Sequence, residues 1–196
     1  MPLTVPFPPQ ARAIIFDLDG TLVDSMPLHL RAYQHAIEPW GVTYSQEVFQ
    51  SRAGMPTIET FERIAADYQL KDFDVDLACT RKRAYFGENL SQITLIEPVA
   101  AVMRAQLGKV PMSIGTGSYR KTVEKVVGLF GLNQYMDYIV TADDVQQHKP
   151  HPETFLQCAE RMGIAPAHCV VYEDGDPGVN AALAAGMQVV DVREHL

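Results

Sequence analysis

Five short apolar runs punctuate the chain: Ala13 to Leu18, Val110 to Gly115, Tyr138 to Thr141, Cys169 to Tyr172 and Gln188 to Val192. The first is unbroken from Ala13 to Phe16, as a central parallel strand covered on both faces requires. Between the later runs the apolar positions fall into a helical period, over Pro98 to Gln106, Tyr119 to Phe130, Pro152 to Met162 and Pro177 to Ala185. Strand and helix in alternation predict an α/β fold built on a doubly wound parallel sheet.

The segment from Met26 to Glu97 breaks the alternation. It offers no strand pattern and reads as helices over Leu28 to Ile37, Gln46 to Ser51, Ile58 to Tyr68 and Val75 to Leu90, separated by Gly41, Gly54 and Leu70 to Asp74. The expected organisation is therefore a core made of residues 1–25 and 95–196, interrupted after its first strand by a helical domain, residues 26–94.

Composition narrows the class. Of 196 residues, 47% are apolar and 20% charged, which suits a globular chain able to bury a core without staples. A formal net charge of −8 argues against nucleic acid or an anionic membrane as partner, since both need a basic face. Three cysteines without a CxxC pair fit a reducing compartment better than a disulfide framework or a zinc site. The prolines of MPLTVPFPPQ interrupt any signal-peptide segment, and the cytoplasm is the expected location.

Ligands of parallel sheets bind beyond the carboxyl ends of the strands. The residues that follow the predicted strands are Asp17 and Asp19, then Thr116, Gly117 and Ser118, then Lys149, then Glu173, Asp174 and Asp176. Oxygen ligands in such a cluster suit a hard divalent cation such as Mg²⁺. The turn Thr116–Ser118 leads into a helix, whose free N–H groups favour an anion, and Lys149 adds a point charge. Together these groups describe a phosphoryl-transfer site. Residues two apart on an extended chain share a face, so one of Asp17 and Asp19 can attack phosphorus while the other moves a proton. Asp176 is expected instead to cap the helix that opens at Pro177. The segment GTGSYRKT is not a Walker loop, because Arg120 stands where that sequence needs glycine.

FDLDGTLVDS, GTGS, KPHPETF and EDGDPG resemble, in order, the four motifs of the haloacid dehalogenase superfamily, and the helical insertion is similar to the cap of its β-phosphoglucomutase-like branch. The stretch from HKPHPETF through CVVYEDGDPG to VVDVR is most similar to phosphatases acting on fructose 1-phosphate and 6-phosphogluconate. The resemblance implies Asp17 as nucleophile and Asp19 as general acid/base, with Thr116, Gly117, Ser118 and Lys149 holding the phosphoryl group. It implies Mg²⁺ on Asp17, Asp19, Glu173 and Asp174, with Glu173 either a direct ligand or an outer partner. In the insertion, His29, Gly54, Thr57 and Lys82 are candidates for substrate contact, with Thr57 standing where the mutases carry arginine. The implied activity is Mg²⁺-dependent hydrolysis of a small phosphorylated sugar through an aspartyl-phosphate; a monomer is expected, independently of the resemblance. The alternatives are a hexose-phosphate mutase and a non-catalytic phosphosugar-binding protein.

Overall fold

The uninterrupted apolar run near the start becomes the middle strand of the sheet. In the computed structural model, which describes residues 5–52 and 55–196, β1 (Ala13–Phe16) is completely buried. It is flanked by β4 (Met112–Gly115) and β6 (Cys169–Glu173), and the edges are β5 (Tyr138–Val140) and β7 (Gln188–Asp191). The order is β5-β4-β1-β6-β7 and every pairing is parallel. Phe16 lies level with Ile114 and with Tyr172, so the ends of the three central strands are flush. The crevice at a parallel sheet's switch point then opens beyond Phe16.

The helices of the core follow the sequence pattern closely: α5 (Glu97–Gln106), α6 (Arg120–Phe130), α7 (Glu153–Met162) and α8 (Asp176–Ala184). One face of the sheet buries Ala13, Ile15 and Val171 against Phe155, Cys158 and Ala159 of α7 and Ala181 and Ala182 of α8. Burying Ile15, Val171 and Phe155 contributes roughly 1.5–3 kcal/mol each.

Two expectations need correction. A short antiparallel ribbon joins β2 (Val23–Asp24) to β3 (Thr94–Leu95), the latter within a region expected to hold no strand. Two residues are too few to show a period of two, so the pairing arises only because the chain leaves and re-enters the core at adjacent points. Asp176 is the first residue of α8 rather than its cap. Gly175 takes the cap position without a side-chain bond, and Asp176 pairs with Arg193 Nη2 at 2.7 Å.

The chain separates into two compact units, Met1–Asp24 with Thr94–Leu196, and Ser25–Ile93. The second is helical: α1 (Met26–Ile37), α2 (Gln46–Ser51), α3 (Thr57–Asp67) and α4 (Val75–Glu88). It has its own core, in which Tyr33 meets Tyr44, Phe49 and Phe61 at centroid distances of 5.6, 6.0 and 5.2 Å. Ser45 and Asp74 start α2 and α4 by accepting the Val48 and Leu77 amides. No described helix is long and apolar enough to cross a membrane.

Candidate active site

Asp17 stands one residue past β1. Its amide still donates to the Tyr172 carbonyl at 3.0 Å, so the backbone is held while the side chain reaches the crevice. Lys149 comes from the loop after β5 and lies between two carboxylates, donating to Asp17 Oδ1 at 2.6 Å and to Glu173 Oε2 at 2.7 Å. The three side chains are 5–9% exposed, so water screens them little. Burial alone would lower the pKa of Lys149, but Asp17 and Glu173 outweigh it and hold the ammonium charged.

Glu173 is fully engaged. Its Oε1 accepts the Asp174 and Gly175 amides at 3.0 and 2.9 Å while Oε2 takes Lys149. A Cβ on Gly178, in the first turn of α8, would lie 1.8 Å from Oε2, so only glycine lets that carboxylate lie there. Both Glu173 oxygens are thus already engaged by protein donors. Asp174 is tied differently, accepting from Thr21 Oγ1 at 2.8 Å. Gly20 passes beneath it at φ +90°, where a Cβ would meet Asp174 Oδ2 at 2.2 Å. The glycine of the DGT stretch thus serves both a left-handed turn and a close approach.

Asp19 accepts from Ser118 Oγ at 2.5 Å. Ser118, expected on the phosphoryl group, is therefore bonded to the expected acid/base. Thr116 is buried and its Oγ1 accepts the Ser118 amide at 3.0 Å, which leaves its hydroxyl hydrogen to be donated elsewhere. Beside Gly117 a Cβ would meet nothing within 4 Å. At the start of α6 the expected set of free amides is short by one, because the Arg120 amide donates to Asp143 Oδ2 at 2.7 Å.

Asp17, Glu173 and Asp174 each present an oxygen within 4.8 Å of the others. Three carboxylates face one ammonium here. Burial, reinforced by Glu173, pushes Asp174 up to about 6. Burial likewise raises Asp17 well above the usual range, with Lys149 opposing and Glu173 and Asp174 adding to the rise. Buried oxygen donors with an excess of negative charge are what a hard divalent cation requires, so the residues fit such an ion.

In the helical unit Lys82 is 8% exposed. Its Nζ donates to Thr57 Oγ1 at 3.2 Å and sits 4.3 Å from the centre of the Tyr33 ring, and Tyr33 Oη also reaches Thr57 Oγ1, at 3.4 Å. His29 stacks on Phe86 with ring centres 4.3 Å apart. Gly54 lies outside the described residues. The sequence did not reveal Thr21 as the Asp174 partner or Ser118 as the Asp19 partner. Their hydroxyls stood within the motifs, but contacts across as many as 153 positions of chain carry no local signal.

A parallel sheet with an inserted helical cap, bearing this cluster at its carboxyl end, defines a known class. Residues 14–192 match the model of the haloacid dehalogenase-like hydrolase family, and the chain belongs to it. It is 39% identical over 183 residues to the fructose-1-phosphate phosphatase YqaB of Escherichia coli (strain K12), covering 92% of this chain and 95% of that protein. It is 30% identical to a phosphorylated carbohydrates phosphatase of Thermotoga maritima, covering 90% and 82% of the two chains. Among solved structures it superposes on β-phosphoglucomutase from Clostridium difficile with a TM-score of 0.78 and 25% identity, covering 91% and 83%. The chain is a phosphatase of this family.

Proposed function

We propose that the protein is a Mg²⁺-dependent phosphatase of small sugar phosphates, of the fructose 1-phosphate or 6-phosphogluconate type, working through an aspartyl-phosphate in the cytoplasm. The observation that carries the reading is the Asp17–Lys149–Glu173 chain of contacts at the end of the central strand. Asp17 attacks phosphorus, with Lys149 holding both the nucleophile and the incoming phosphoryl oxygens. Asp19, oriented by Ser118 Oγ, gives a proton to the departing sugar oxygen and then takes one from the water that cleaves the acyl phosphate. Thr116 and the Gly117 amide steady the phosphoryl group. Asp17, Asp174 and the Asp19 carbonyl would hold the ion, with Glu173 behind them; bound there, Mg²⁺ neutralises phosphoryl oxygens. Recognition of the sugar falls to the helical unit, with Lys82 and Thr57 as its polar contacts and His29 as a further candidate.

The names of the phosphatase relatives support hydrolysis. The mutase reading draws on the structural neighbour; Thr57 stands in place of an arginine, and the cation beside it is Lys82, 3.2 Å from its hydroxyl. The test is release of free phosphate from a panel of sugar phosphates with Mg²⁺. Hydrolysis is expected, and Asp17→Asn should lower it by at least about a thousandfold, as loss of a covalent nucleophile does, with an unchanged circular-dichroism spectrum. Appreciable turnover by Asp17→Asn would overturn the mechanism. Isomer formation from β-glucose 1-phosphate with a bisphosphate primer, exceeding phosphate release, would establish the mutase instead.

A further inference from the structure

Lys149 reaches Asp17 from a loop with no regular structure of its own, between the 3-10 turn Ala142–Asp144 and α7. A flexible side chain on such a loop needs an external reference to be delivered between two carboxylates. The helix that follows supplies one. Glu153, the first residue of α7, accepts the Gln146 amide on Oε1 and the Gln147 amide on Oε2, both at 2.9 Å. One turn further along, Gln157 Nε2 donates to the Asp144 carbonyl at 2.8 Å. Within the loop the His151 amide donates to the His148 carbonyl at 2.9 Å. Lys149 is thus enclosed between segments that are each tied down.

An acidic residue in a helix's first turn ordinarily serves its own helix, through the end amides or the dipole. Glu153 spends both oxygens on the loop instead, and its own amide goes to His151 Nδ1 at 3.3 Å. The helix behind it is a firm anchor, because Phe155, Cys158 and Ala159 are buried in the sheet's core. Phe155 also lies under the ammonium, with its ring centre 4.5 Å from Nζ. The clamp therefore references the lysine to β1, the strand that carries Asp17.

We propose that Glu153 is a positioning residue: its carboxylate fastens the Gln146–Gln147 segment to α7 so that Lys149 enters between Asp17 and Glu173. This rests on the reading of Lys149 as part of the phosphoryl-binding machinery. The experiment measures kcat and KM with an aryl phosphate, and orthovanadate affinity, for Glu153→Ala, Glu153→Asp, Lys149→Ala and the double variant Glu153→Ala/Lys149→Ala, with a melting temperature for each. Displacing a catalytic group by about an ångström costs up to roughly a hundredfold in rate. Glu153→Ala should therefore lose about ten- to a hundredfold in kcat at a temperature where it is fully folded, and Glu153→Asp should recover part of that loss. In the Lys149→Ala background, Glu153→Ala should change neither kcat nor vanadate affinity by more than about twofold, since the group it positions is gone. Full kcat in Glu153→Ala alongside an impaired Lys149→Ala overturns the clamp and leaves the role of Lys149 standing. So do losses that simply multiply in the double variant. Full activity in Lys149→Ala overturns the reading of the lysine itself.

Discussion

Lys149 and Lys82 are both withdrawn from water, and both rest on an aromatic ring, 4.5 Å from the centre of Phe155 and 4.3 Å from that of Tyr33. Their counterions differ. Lys149 has two carboxylates within 2.7 Å. Lys82 has the Thr57 hydroxyl, and among the described residues no carboxylate pairs with it. A ring face contributes roughly 0.5–2 kcal/mol to a cation, which does not offset removing an ammonium from water. The lysine of the core is thus saturated by the protein. The lysine of the helical unit is underpaired, and a ligand rich in hydroxyls or anionic oxygens would complete it. Under the proposed function, the difference would separate a lysine that organises reacting groups from one left to recognise a substrate.

Of the two lysines, Lys149→Ala should produce the larger effect and strike both activity and stability. It leaves Asp17 and Glu173 buried without their cation, and breaking a buried pair in this way costs about 3–5 kcal/mol. The expected outcome is a fall in kcat of at least about a hundredfold, with a melting temperature in metal-free buffer lowered by many degrees. Lys82→Met should behave in the opposite sense for stability. Methionine fills similar space against Tyr33 without a charge to desolvate, so the melting temperature should hold or rise. The proposed substrate contact predicts a KM about tenfold higher, equivalent to about 1.4 kcal/mol of binding, with kcat within a few-fold of normal. If Lys82→Met destabilises the protein as much as Lys149→Ala, the lysine of the helical unit is structural and the comparison fails.

The core was readable from the sequence because buried parallel strands appear as unbroken apolar runs and their ends carry the chemistry. Ala13 to Phe16 marked the centre of the sheet, and Asp17, Lys149, Glu173 and Asp174 do meet beyond it. What escaped depends on neighbours distant in sequence. The β2–β3 ribbon has no periodicity to detect at two residues a side. Asp176 was displaced by one position because aspartate and glycine both serve at a helix start, and the cap fell to Gly175. Glu153 carries no signal of its own in the sequence, since its partners lie in the preceding loop. In the helical unit the burial of Lys82 was equally hidden. The run TRKR fits a solvated helix face as well as a substrate contact until Thr57 of α3 and Tyr33 are placed against Lys82.

The smallest expected effect probes the underpaired lysine through Thr57, its one hydrogen-bond acceptor among the described residues. Thr57→Val keeps shape and volume but removes the oxygen that both Lys82 Nζ and Tyr33 Oη reach. A single neutral acceptor contributes about 1 kcal/mol net, so KM should rise about two- to fivefold with little change in kcat. Thr57→Ser retains the oxygen and should stay near the parent value. The pairing is testable by a double-mutant cycle, because contacting residues fail to add. In the Lys82→Met background Thr57→Val should raise KM by less than about twofold, since no ammonium remains to be oriented. A full additional increase would mean that Thr57 meets the substrate independently of Lys82. The recognition site would then consist of two separate contacts rather than one lysine aimed by its hydroxyl.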